Sequence, residues 1–541
     1  MGTSWVNAGT LGQAWAMANP EATRSDDQTF LDDIEGYPGS LSVAPGESLD
    51  LHVSTRAASW SVRIERWGVE RVVVYEEAGL MGEFHEPPAD ADANGCDWPV
   101  ALEVPVAEDW KSGFYLVTLT AEGAEPARAV AHAGFVVRGE GATTLYVLPT
   151  NTWNAYNTWG GKSLYTGGTA VSFHRPIARG MLCRPAPPDD ERDDRKSRPT
   201  RFGETPDADG EVFQAYRTAN DYPSGIGSTG WYSHGRRFVE WAEGDGFAFD
   251  YAVSSDLETV PGLLAGYETV VLVGHDEYWS APERAALEEH VAGGGRLVSF
   301  SGNTIFWRVR RSAGENSGPT MVCHKYASLP DSDDLGSTGD QAENDPLHPG
   351  PVTGMWADPL VGEPEWTLLG AGSAFGLYHR FGQATPQGVG GYLVSRPDHW
   401  LFADTGLRYG DVVGRDRGVV GYETVGCPLT LDDYHQPQPS DDALRRGVPD
   451  STEIVGWVPS GNVGVGEYPK SIAALSDQGD LEFIAERVFA DDPDPLLRAR
   501  NGNSVMATVG DNVVTIGTTD WVFGLADEQV AQITRNALRG H

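Results

Sequence analysis

Lysine is scarce: only five residues (111, 162, 196, 325 and 470) among 39 basic ones in a chain of 541. Positive charge as a whole is outnumbered, with 78 acidic residues giving a net charge of −39. A field of that sign repels phosphate backbones and anionic lipid heads, so neither nucleic acid nor a membrane surface is expected as a partner. The acidic excess reads as a solvated surface, and the preference for arginine over lysine carries no mechanism by itself. Cysteine is also rare; Cys96, Cys183, Cys323 and Cys427 are far apart with no CxxC, which excludes a disulfide framework or a zinc knuckle. No run approaches 18 apolar residues, and the first 27 residues lack both a basic start and a continuous apolar stretch. The expectation is a cytoplasmic protein without a signal peptide or membrane span. No internal repeat is visible.

What is present is turn and strand material: 66 glycines, 35 prolines and 17 tryptophans. At roughly 150 residues per domain the length predicts two or three domains. Residues 1–35 are polar and weakly patterned, an N-terminal extension. Over 36–140, SLSVAPGESLDLHVST, ASWSVRIERWG, WKSGFYLVTLTAEG and ARAVAHAGFVVRG alternate apolar and polar residues between Gly/Pro turns. That period predicts an antiparallel, immunoglobulin-like β-sandwich. From residue 141 to 541 the rhythm changes. TTLYVLPT, FAFDYAV, YETVVLVGH and RLVSFSGN are apolar strands, separated by helical HGRRFVEWAEGDG and APERAALEEHVAGGG. Strands alternating with helices predict a doubly wound α/β sheet, with β-rich additions after residue 350. The charged stretches 184–211 and 328–351 read as inserted surface loops.

Ligands of open α/β sheets bind at the carboxyl ends of strands. Three ends stand out: LYVLPT running into NTWNAYNTWGGKSLY, VVLVGHDEYWS, and RLVSFSGNTIFW. In the second, His275 and Glu277 can reach one point in a crevice; Asp276 or Ser280 could equally cap the next helix. The first offers Trp153, Asn154, Tyr156, Asn157, Trp159 and Tyr165, suited either to stacking a ligand or to packing between domains. Gly161-Lys162-Ser163 is no phosphate loop, because Tyr156 stands where the leading glycine is required. No G-x-S-x-G exists, and Ile226 blocks the nearest variant, GIGSTG. With no cysteine in an elbow-like setting either, a metal-activated water is the mechanism to test.

Taken together, EGYPGSLSVAPGESLDLHVST, WKSGFYLVTL, LYVLPTNTWNAYNTWGGKSLY, VVLVGHDEYWS, GGRLVSFSGNTIFWR and GTTDWVFGL…ITRNAL resemble the large (beta) subunit family of N,N-dimethylformamidase, a metal-dependent amide hydrolase. The resemblance runs from residue 35 to the C-terminus. It implies an α/β domain similar to class I glutamine amidotransferases without their cysteine, and a ferric ion (Fe³⁺) held by two tyrosinates and one glutamate. Glu277 matches the carboxylate ligand, His275 a histidine behind it, and Asn303 a polar residue near substrate that could stabilise an oxyanion. Tyr156 matches the first tyrosine. Tyr165 is the choice for the second, with Tyr216, Tyr222 and Tyr232 as alternatives, because the spacing here is shorter than in dimethylformamidase. The implied activity is hydrolysis of a small non-peptide amide, and the implied partners are that small molecule and further copies of the chain. No counterpart of the family's lectin-like domain is expected in these 541 residues, and its small partner subunit leaves no mark in this sequence. Alternatives are a non-catalytic, carbohydrate-binding member of the fold and an iron-dependent oxygenase or tailoring enzyme.

Overall fold

The computed structural model describes residues 33–126, 128–184, 222–223, 225–312, 319–325, 351–377, 390–421, 423–461 and 478–541. Residues 1–32 of the extension read as 1–35, most of both charged inserts, and Tyr216 lie outside the described residues; Ile34 and Glu35 already belong to the first strand. Eight strands form the first unit: β1 (Ile34–Pro38), β2 (Ser42–Val43), β3 (Ser48–Thr55), β4 (Ser59–Trp67), β5 (Arg71–Met81), β6 (Val100–Pro105), β7 (Gly113–Ala121) and β8 (Val130–Val137). They make a three-stranded sheet, β1-β3-β6, and a five-stranded one, β2-β8-β7-β4-β5. The alternating residues Leu49, Leu51 and Val53 face Val62, Ile64, Val117 and Leu119 in one core, as the sequence period requires. β5 carries little alternation; it is an exposed edge strand whose register against β4 slips twice.

The second unit is built on a nine-stranded mixed sheet. Its strands are β9 (Thr144–Leu148), β10 (Asp250–Val253), β11 (Thr269–His275), β12 (Arg296–Gly302), β13 (Tyr392–Val394), β14 (Val412–Val413), β15 (Thr452–Gly461), β16 (Asn501–Val509) and β17 (Val513–Thr515). Their order is β10-β9-β11-β12-β17-β16-β15-β13-β14, parallel from β10 to β17 and antiparallel beyond. The parallel strands are apolar throughout because both faces are covered. Leu145, Val147, Val270 and Leu272 enter one core with Leu257 of α3 (Asp256–Thr259) and Leu287 of α4 (Ala281–Ala292). Tyr146, Leu148, Val271 and Val273 enter the other. There they meet Phe238 of α2 (Arg236–Gly244) and Ile533 of α5 (Glu528–Arg539). The fold is therefore α/β plus β-rich, with helices on both faces of the parallel half. Before them, α1 (Thr150–Tyr156) follows β9 directly. Ser280, not Asp276, caps α4, in a capping box with Glu283.

Glu365 is a buried acid remote from any motif. Ser373 N–H donates to its Oε1 at 2.8 Å, and among the described residues its Oε2 has no hydrogen-bond partner. Burial pushes its carboxyl up to about 7, against the opposing pull of backbone donors and Arg284. The fold thus holds a proton that the unfolded chain releases above its ordinary value of 4.5, so stability is lost as pH rises from there through about 7. Glu365→Gln should flatten that slope. Urea midpoints at pH 5 and pH 8 should differ less in the variant, by about 2–3 kcal/mol of unfolding free energy.

Candidate active site

The three strand ends singled out by sequence are neighbours, since β9, β11 and β12 pair in parallel. The chain leaves β9 into α1, which ends at Tyr156, and returns through a loop bearing Tyr165. It leaves β11 at His275 and turns through Asp276 and Glu277. Thr152 Oγ1 on α1 accepts the N–H of Glu277 at 2.9 Å and that of Tyr278 at 3.4 Å, which ties the two strand ends together. Gly274 has φ +81°, and a Cβ there would lie 2.6 Å from the Cβ of His234, so only glycine lets β11 end this way.

Tyr165 Oη donates to Glu277 Oε2 at 2.5 Å. The ring of Tyr156 lies 4.1 Å from that of Tyr165 and 5.6 Å from His275, centre to centre. His275 is fully buried. Its Nδ1 sits 3.1 Å from the carbonyl of Ser228, an atom that can only accept, so Nδ1 carries a proton. Its Nε2 faces two carboxylates, Glu423 Oε2 at 2.5 Å and Glu277 Oε2 at 3.4 Å. Burial alone would lower the His275 pKa; Glu423 first and Glu277 after it outweigh burial and raise it above the ordinary value. Desolvation raises Glu277 too, opposed by His275 and Lys325, and carries the Tyr165 phenol well above its usual range. Burial pushes Asp276 up to about 8, leaving it protonated at neutral pH while its Oδ1 accepts from Trp279 Nε1 at 3.0 Å.

Asn303 follows β12 in the left-handed region, at φ +51°. Its Nδ2 donates to Glu423 Oε2 at 3.1 Å, and among the described residues Oδ1 has no hydrogen-bond partner. As oriented, the amide nitrogen expected to serve a substrate oxygen is engaged, and the unused capacity is a buried acceptor. Of the alternative tyrosines, Tyr232 lies under the guanidinium groups of Arg184 and Arg236 and edge-on to Trp67. Tyr222 packs in the core near Gly180. The remaining aromatics of the first segment divide: Trp153 meets Phe114 of the sandwich and Trp159 meets Trp98, which is inter-unit packing.

Two residues of the cluster escaped the sequence. Glu423 precedes the short strand Thr424–Gly426 and carries no motif. A Cβ on Gly302 would lie 2.2 Å from Glu423 O and 2.5 Å from Thr519 N, so that glycine in SGN is what admits Glu423 to the site. Lys325 holds its Nζ 3.5 Å from the Tyr165 ring centre, with Trp307 at 5.2 Å and Tyr278 at 5.3 Å. A buried lysine in so lysine-poor a chain was the available signal. Among the described residues no group of three His, Cys, Asp or Glu is arranged for a metal ion.

The family described as N,N-dimethylformamidase beta subunit-like, C-terminal, matches residues 61–534. Two curated relatives, the N,N-dimethylformamidase beta subunits of Alcaligenes sp and Paracoccus aminophilus, are each 24% identical over 241 residues. That alignment takes in 42% of this chain and 29% of each relative, so the chain spans under a third of their length. A solved polymeric Ig receptor ectodomain from a teleost fish matches 21% of this chain and 56% of its own at 14% identity, but its TM-score of 0.13 carries no argument.

Proposed function

Because the chain belongs to the N,N-dimethylformamidase beta subunit-like family, we propose that it is a hydrolase of small non-peptide amides, dependent on iron held by Tyr156, Tyr165 and Glu277. The observation that carries this reading is the 2.5 Å contact of Tyr165 Oη with Glu277 Oε2, with the Tyr156 ring packed beside it at the strand ends. The donors fit: two phenols and a carboxylate are hard oxygen ligands suited to Fe³⁺. Tyr165 and Glu277, already in contact, would hold the ion together with Tyr156. When bound, iron(III) would supply Lewis acidity toward a water and an amide oxygen.

The chain's own groups do the rest. Thr152 fixes the Glu277 backbone, and Ser228 fixes the tautomer of His275. His275 Nε2 and Glu423 Oε2 form a proton-holding pair that can take a proton from water and return it to a departing amine. Asn303 Oδ1 can accept from a substrate or water hydrogen. Lys325 balances the carboxylates beside Tyr165. The relatives' designation as a beta subunit favours an assembly with a second kind of subunit, and the amidotransferase-like arrangement of the α/β unit belongs to the same reading.

The test is metal content and the visible spectrum of protein purified without chelators or a metal-affinity tag. About one iron per chain, with a tyrosinate-to-iron band, is expected, and Tyr165→Phe should bleach most of it. An unchanged band in that variant moves the second tyrosine to Tyr216, Tyr222 or Tyr232. A colourless protein that takes up no iron favours the binding-protein alternative, and oxygen consumption with a small amide favours the oxygenase.

A further inference from the structure

On α1, residues 152 and 156 face the Glu277 cluster, while 150, 153, 154 and 157 follow the opposite stripe of a 3.6-residue helix. That opposite stripe lines a cavity of about 60 Å³ between the sandwich and the α/β unit. Its wall is apolar, with Phe114, Leu148, Phe173 and Leu182, apart from a few polar groups. Two of these are unusual. Thr150 is 5% exposed, and among the described residues its Oγ1 has no hydrogen-bond partner. Arg175 is 3% exposed, and all of its acceptors are neutral. Nε donates to Ser172 O at 3.0 Å, Nη2 to Asn157 O at 3.1 Å and Asn154 Oδ1 at 3.3 Å, and Nη1 to Trp159 O. Among the described residues no carboxylate lies within the 4 Å of an ion pair. Burial pulls the Arg175 pKa down to about 10, and Asp92 opposes that only as a longer-range charge.

A buried guanidinium that, among the described residues, meets only neutral acceptors keeps an uncompensated charge, and the Thr150 hydroxyl without a described partner on the same cavity adds to the cost. A water needs about 15 Å³ of such space, so the cavity holds roughly four non-hydrogen atoms, or slightly more with side-chain movement. We propose that this cavity binds a short-chain carboxylate of acetate or propionate size, its anionic head toward Arg175 and Thr150 and its alkyl tail along the apolar wall. The inference stands apart from the hydrolase reading, although a small carboxylate is also what amide hydrolysis releases. Asn154 and Asn157, which brace Arg175, belong to the segment that carries Tyr156, so occupancy would be felt at the active site.

Calorimetric titration with sodium propionate tests it on the whole protein, with sodium chloride and 1-propanol as controls. Saturable binding of propionate, and not of 1-propanol, is expected. Thr150→Val keeps the side-chain shape and should weaken binding about tenfold. Ile177→Trp, which fills the cavity from a half-buried wall position, should abolish it. Binding should survive Glu277→Ala, which separates this cavity from the catalytic cluster. No saturable binding by the wild type, binding unchanged in both cavity variants, equal binding of 1-propanol, or loss in Glu277→Ala would each overturn the proposal.

Discussion

Glu277→Ala is expected to purify with about a hundredfold less iron than the wild type, or lower still, while remaining folded. Partners that merely orient a metal ligand are worth roughly 10–100-fold in affinity, and a ligand itself is worth at least that. The fold should survive because the atoms that anchor this turn belong to the main chain. Glu277 N–H donates to Thr152, and Glu277 O accepts from the N–H groups of Phe306 and Trp307, each at 2.9 Å. Alanine keeps all three. Removing the carboxylate takes a partner from Tyr165 Oη and from the cations facing it, so the urea midpoint of metal-free protein should fall modestly while the transition stays cooperative. Metal analysis by mass spectrometry beside a urea titration decides the matter. Undiminished iron in a folded variant removes Glu277 from the ligand set.

The second large effect is expected at Glu423. Glutamine there keeps volume and one oxygen but cannot hold the charge facing His275 Nε2 at 2.5 Å. If the pair moves the proton in hydrolysis, Glu423→Gln should lower kcat by about 10²–10⁴ on whichever small amide proves to be a substrate. KM and iron content should change little, because Glu423 contacts His275 and Asn303 and is not one of the three proposed ligands. A rise in KM with kcat preserved would make Glu423 a binding residue; loss of iron would make it a ligand.

The strand ends that carry this cluster were legible, for a physical reason. Tyr156, Glu277 and Asn303 follow long apolar strands buried on both faces, and such strands announce themselves as unbroken runs whose ends are where α/β sheets bind ligands. Tyr165 was among the aromatics flagged after β9; the role assigned to it, like those of Tyr156, Glu277 and Asn303, came from the resemblance, and its place beside Glu277 could not be computed from a loop. Glu423 was invisible because it stands at φ +33° ahead of a three-residue strand, too short for any period. The bridge from Thr424 to Thr518 places it, a contact between residues far apart in sequence. β5 was missed for a related reason: two register shifts and an exposed edge erase the alternation that marked β3, β4, β7 and β8.

The position of β17 in the large sheet bears on how the chain is made. Val513–Thr515 lies between β12 and β16, at the seam where the parallel half meets the antiparallel half. A nascent chain that has emerged only to about residue 500 therefore exposes the edge of β12, with its backbone donors and acceptors unpaired. That edge can pair with nothing native until the last of the sheet's residues leaves the ribosome. Long-range closure of this sort is slow, and open edges invite pairing with other chains. Recombinant yield should then depend on temperature and on chaperones that shield strand edges during synthesis more than on the stability of the finished molecule.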